Sequence, residues 1–217
     1  MMTVPKRLVF SSLGAASIAF HIGLNFFGLV PNLISRPLHL VLALPWLFLF
    51  TAQSRREPVF GVAWAMAGIG CSLYIVANEQ ALSEQYGSLE GAGQLAMAIV
   101  ILSVVLEMAR RAIGWPLPAV AALALAYGLF GQHLPGEFGH PGIPVQSFLG
   151  NLTIAEGGIW GSLTGISVNI VAIFVIMGAV LNAGEAGQGF MNLAAAAAVG
   201  NATVRRSGNI LCCCGNR

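Results

Sequence analysis

No aspartate occurs among the 217 residues, and Lys6 is the single lysine. Charged residues make up 8% of the chain, against roughly a quarter in an ordinary soluble domain. These shortages remove whole classes of chemistry. An aspartyl-phosphate pump and an EF-hand calcium loop both require aspartate. A Walker A loop requires lysine after glycine; no Gly-Lys-Ser/Thr is present, so ATP energy is not coupled by this chain. Gly68 and Gly70 do not complete a dinucleotide fingerprint, and Gly184, Gly187 and Gly189 follow no predicted strand. A net charge of +2 is too small to point to nucleic acid. Nor can so few charges cover the surface of a water-soluble fold.

What is present is apolar. Hydrophobic residues reach 57% and the mean hydropathy is +0.80. Six runs free of Lys, Arg, Asp and Glu lie near Leu8 to Val30, Leu38 to Gln53, Pro58 to Ala77, Gly91 to Leu106, Ala112 to Gly131 and Gly158 to Gly184. The longer ones suffice to cross a hydrocarbon core of about 30 Å. Backbone polar groups in lipid must be satisfied within the segment, and no period-2 alternation is seen, so the runs are predicted helices. The expected fold is an all-α integral membrane protein of about six transmembrane helices.

Where the few charges fall sets the orientation. Lys6 and Arg7 precede the first run, Arg55 and Arg56 follow the second, and Arg110 and Arg111 follow the fourth. Asn78 to Glu90 carries three Glu and no base, and Gln132 to Gly157 has neither Lys nor Arg. The positive-inside rule then predicts a cytoplasmic amino terminus, with these two segments outside; Arg36, in the predicted first outer loop, is the exception. The start also fits a secretory signal, with Ser17 to Ala19 as a cleavage site. Hydrophobicity running on to Val30 favours a spanning helix instead.

Few residues are candidates for chemistry. His21 sits near the middle of the first run, a functional position by default; with no second ionisable group at its depth, the structural role is preferred. His39 is predicted to be solvated near a helix end. His133, Glu137 and His140 are close in sequence, yet the Pro and Gly between them give no face on which to align zinc ligands. Cys212, Cys213 and Cys214 cannot all reach one ion. Glu107 with Arg110 and Arg111 has ion-pair spacing, though a solvated helix end explains it without further assumption. Small residues at Ala15, Ala19 and Gly23, and at Gly61 and Ala65, allow close helix approach. Ser167 and Asn169 are placed either to bond across helices or to line a solute path. Phe148, Leu149 and Trp160 suggest that part of Gly131 to Gly158 lies at the membrane interface.

Three stretches together resemble a known family. They are Leu106-Glu107-Met108-Ala109-Arg110-Arg111 with Gly114-Trp115-Pro116-Leu117-Pro118; Ala126-Tyr127-Gly128-Leu129-Phe130-Gly131 with Leu134-Pro135-Gly136 and His140; and Glu156-Gly157-Gly158-Ile159-Trp160-Gly161 leading to Phe174-Val175-Ile176-Met177-Gly178-Ala179-Val180-Leu181 and Gly187. In order and spacing they resemble the fused permeases of tripartite ATP-independent periplasmic (TRAP) transporters. The resemblance implies a small four-helix module over residues 1–111, the opening of a large module over 112–200, and an aberrant tail over 201–217, as in a truncated or frame-shifted product. It implies import of organic acids on a sodium gradient, across the bacterial inner membrane, after delivery by a periplasmic binding protein, often of the TAXI type. No cofactor is implied beyond sodium as coupling ion. The family's substrate and sodium sites lie downstream, so no site residue is carried over and the fragment is not expected to transport alone.

Two other functions compete. A stand-alone multi-pass scaffold or assembly protein would be a stable chain that co-purifies with a partner. An intramembrane enzyme would need a nucleophile with a base, and Ser162 and Ser167 have no ionisable partner in their own run.

Overall fold

The computed structural model describes residues 4–28, 30–50, 57–184, 187–193 and 195–196. Arg55, Arg56 and the predicted tail from Asn201 to Arg217 lie outside the described residues, as do the side chains of Lys6 and Arg7. Among the described residues the regular structure is helical and no strand forms. Four helices among the described residues are long and apolar enough to cross a bilayer: Leu8–Phe27, Phe60–Ala77, Gly91–Ile113 and Ser162–Ala183. The all-α membrane class is therefore the one predicted.

Helix α1 spans Val4–Phe27 and α2 spans Asn32–Pro45, joined by the short connection around Gly28, which has φ +48°. The second run does not begin at Leu38 as predicted. Pro31, at φ −52° and ψ 147°, stops the connection, and its carbonyl takes the Ile34 and Ser35 amides at 3.0 Å each. The helix thus starts before Arg36, which lies within α2 and not in a loop. Pro45 has no amide to continue the ladder, and a π-helical turn, Trp46–Phe50, follows it.

Helix α3 covers Glu57–Ala77, and the short α4, Glu79–Glu84, folds back after it. The acidic segment around α4 is anchored by apolar side chains, since Leu82 and Leu89 are buried, and Tyr86 and Gly87 turn it with positive φ. Helix α5, Gly91–Ile113, ends at Gly114, whose φ of 96° suits glycine, and α6, Pro116–Phe130, starts with proline in its first turn. That break is why the predicted run from Ala112 to Gly131 yields only a 15-residue helix. Helix α7, Val145–Thr153, follows the Pro- and Gly-rich segment after α6, and α8, Ser162–Ile166, passes into a second π-helical turn, Ser167–Val171.

The core is built by α2, α3 and α5 around Leu44, Phe48, Ile75, Ile101 and Val104, all fully buried. In lipid the helices gain from tight fit more than from leaving water. At Gly68 an added Cβ would stand 2.7 Å from Leu44 Cδ1 and 2.9 Å from Val104 Cγ1. A larger residue there would make the Leu44 and Val104 side chains shift, so glycine suits the close approach of α3 to both neighbours. At Gly61 the Cβ would stand 2.5 Å from the Phe48 carbonyl oxygen, and Ala65 one turn on is buried. The predicted small stripe on α3 is thus a packing seam. The stripe on α1 is not: Ala15 and Ala19 are exposed and nothing stands near Gly23.

The chain divides into two compact units, Met1–Val171 and Ala172–Arg217. In the second, α9 spans Ala172–Ala183, and residues 187–193 and 195–196 are helical.

Candidate functional site

The rotation of α1 follows from its polar groups. A helix in lipid turns imidazole and amide groups toward partners, because none are available in hydrocarbon. Phe10, Gly14, Ser17, His21 and Asn25 recur at intervals of three and four residues, forming one stripe. That stripe faces α2: Phe10 meets Trp46 edge-on at 4.6 Å between ring centres, and His21 meets His39. The His21 Nε2 to His39 Nδ1 distance is 2.8 Å, with the rings perpendicular at 5.0 Å between centres. The predicted isolation of His21 is therefore corrected, as is the predicted solvation of His39.

The signal was available in the chain. His21 and His39 are equidistant along the sequence from Val30, beside the α1–α2 connection, and residues so placed in an antiparallel helical hairpin come level. Scanning each run separately hides a partner on the next one.

The pair's proton positions follow from its contacts. His21 Nδ1 lies 2.7 Å from the Ser17 carbonyl oxygen, which can only accept, so Nδ1 carries the hydrogen. In the neutral ring Nε2 is then an acceptor, and the 2.8 Å contact requires His39 to donate from Nδ1. His39 Nε2 is left with a lone pair. The ring of His39 lines two cavities, one of about 330 Å³ shared with Ser17, His21, Ala43 and Trp46, and one of about 290 Å³ shared with Met108, Trp160, Thr164 and Ser167.

Arg36, one turn before His39, closes the same region. Its guanidinium donates to the Trp160 carbonyl, and an added Cβ at Gly165 would stand 2.9 Å from Nη2. Trp160 is fully buried and donates from Nε1 to the Thr153 carbonyl at 2.7 Å. It is a core residue, not the interfacial anchor predicted, because its ring and its N–H both find partners inside the protein; Leu149 is buried as well. Ser167 lines the second cavity, and Asn25 Nδ2 approaches the Asn169 carbonyl at 3.5 Å. Both belong to the π-helical turn, a distortion that re-aims side chains.

Two further clusters lie apart from this region. Glu107 accepts from Arg110 Nε and Nη2 at 2.6 and 2.7 Å and from Arg111 Nε at 2.8 Å. Its side chain is 16% exposed and that of Arg111 is 15%. The preference for a solvated helix end is thus overturned, since Arg111 also lies over the Phe48 ring at 4.7 Å and Arg110 over Trp115 at 5.3 Å. In the segment between α6 and α7, the Tyr127 hydroxyl donates to the Phe138 carbonyl at 2.9 Å. His140 lies 2.9 Å from the Pro141 carbonyl and 3.1 Å from that of Tyr127. His133 turns toward the Phe130 carbonyl instead, and no group of three His, Cys, Asp or Glu side chains placed to hold a metal occurs among the described residues.

The imidazoles of the central region contact a carbonyl and each other, an arrangement suited to exchanging protons and hydrogen bonds. Its setting is explained by ancestry. The family model for the DctM component of the tripartite ATP-independent periplasmic transporters matches residues 99–207. The chain belongs to the DctM family. Neither a curated protein nor a solved structure matches it. The DctM match starts inside α5 and takes in α6 to α9, so Trp160, Thr164 and Ser167 lie within it, whereas His21, Arg36 and His39 precede it. As a DctM-family chain with several long apolar helices, it is a multi-pass membrane component of a TRAP transporter, a family whose permeases work with a periplasmic solute-binding partner.

Proposed function

We propose that this chain is a permease component of a sodium-driven TRAP importer of organic acids in a bacterial inner membrane. The single observation that supports this is the DctM match over residues 99–207, which falls on apolar helices. In this reading residues 1–111 form the small module and 112–200 open the large one, with the break at Gly114 and Pro116 between α5 and α6 as the junction. The solute arrives on a periplasmic binding protein of the TAXI type. The absence of Asp and of a Walker A lysine agrees with an ion gradient as the energy source.

The test is uptake of radiolabelled carboxylates by cells expressing this reading frame with its flanking frames. Replacing external sodium by potassium should abolish uptake, and deleting the frame should do the same. Uptake that persists without a sodium gradient and stops on ATP depletion would sink the proposal.

A further inference from the structure

We propose that His21 and His39 form a proton-binding site within the first helical hairpin, one that takes up a single proton without breaking the α1–α2 bridge. The geometry dictates the order of events. In the neutral pair, His21 donates to the Ser17 carbonyl and accepts from His39 Nδ1, with contacts of 2.7 and 2.8 Å. The lone pair on His39 Nε2 is the free basic position, and the His39 ring borders both cavities. Both are open clefts with largely apolar walls, but beside His39 the first offers Ser17 and the second Thr164 and Ser167 as further polar partners for a water at Nε2. A proton delivered from such water to His39 Nε2 makes an imidazolium that still donates from Nδ1. The bridge then becomes a charge-assisted hydrogen bond and tightens. A second proton can bind only at His21 Nε2, where its hydrogen would face the hydrogen on His39 Nδ1. That second step breaks the bridge.

The charged and titratable neighbours are few. From Leu8 to Phe27, α1 has no ionisable side chain besides His21. On α2 the cation Arg36 precedes His39 by one turn and is engaged by the Trp160 carbonyl. On α5, Glu107, Arg110 and Arg111 close on one another. Helix α8 and its π-helical turn bring Ser162, Thr164, Ser167 and Asn169, none of them titratable near neutral pH, and the titratable side chains described on α3, Cys71 and Tyr74, line neither cavity. No carboxylate of these elements is free to hold the pair doubly protonated.

The full chain in lipid nanodiscs, labelled with ¹⁵N-histidine, tests this by nuclear magnetic resonance. A scalar coupling between His39 Nδ1 and His21 Nε2 should be seen in the neutral state, persist through the first protonation and vanish with the second. His39→Gln should remove the coupling altogether, because the donor at His39 Nδ1 is gone. His21→Phe keeps a ring in place and separates loss of the bridge from misfolding, with an unchanged unfolding temperature reporting an intact fold. A coupling that is absent, or lost with the first proton, would overturn the proposal. So would a His39 midpoint identical in the wild type and in His21→Phe.

Discussion

At the scale of single residues, the two clusters outside the hairpin lead to measurable effects. Glu107 accepts three hydrogen bonds from two arginines, and removing it leaves two cations partly buried without their shared acceptor. Glu107→Ala should destabilise the chain by roughly 1–3 kcal/mol, discounted because Arg110 remains 35% exposed. Thermal unfolding in detergent measures this, and Arg111→Met should cost less because it leaves the Arg110 pair in place. His140 behaves differently. Both its ring nitrogens face carbonyl oxygens, of Pro141 and Tyr127, which can be satisfied together only by the protonated ring. Those carbonyls raise its pKa above the ordinary histidine value. A raised folded-state pKa contributes stability present in full below the unfolded value and lost as pH rises through the folded one. The segment between α6 and α7 should therefore exchange amide hydrogens faster at alkaline pH, after correction for intrinsic rates. His140→Phe should flatten that dependence; equal profiles in both proteins would show that the His140 contacts do not hold the segment. The Glu107 cluster was visible in the sequence as spacing, but its burial was not, because burial depends on Phe48 arriving from another helix.

At the scale of elements, the positions of breaks were harder to read than the helices themselves. A run of apolar residues shows where a helix is stable in lipid, not where its hydrogen-bond ladder slips. Pro45 is plain in the sequence, yet the π-helical turn it precedes matters through Phe48, whose carbonyl seats α3 at Gly61. Gly61→Ala would place a methyl 2.5 Å from that backbone oxygen. Neither atom lies at the end of a flexible side chain, so one helix must move. Overpacking of this kind costs about 1–3 kcal/mol. The expected result is a lower unfolding temperature for Gly61→Ala and little change for Gly23→Ala, where nothing lies within 4 Å. Equal effects at the two sites would show that the α2–α3 seam does not carry the packing. Arg36 teaches the same lesson. An exception to the charge pattern of the sequence, it is held within α2 by the Trp160 carbonyl, and Gly165 leaves room for its guanidinium.

At the scale of the whole molecule, lipid as solvent explains both the fold class and the ease of reading it from composition. Long apolar helices must form wherever water is absent, whereas their mutual rotation depends on partners far along the chain. Orientation follows from charge and can be checked directly. Tyr86 is 91% exposed in the acidic segment between α3 and α5, and Ile113 is 69% exposed at the end of α5 beside Arg110 and Arg111. The 23 residues of α5 span about 34 Å at 1.5 Å each, enough to place its two ends on opposite sides of a bilayer. With the native cysteines replaced, Tyr86→Cys should react with an impermeant maleimide added outside intact cells. Ile113→Cys should react only after the membrane is opened, because moving the arginine pair outward would oppose the charge bias that orients these helices. Reaction of both from outside would mean that α5 does not cross, and the reverse pattern would invert the chain.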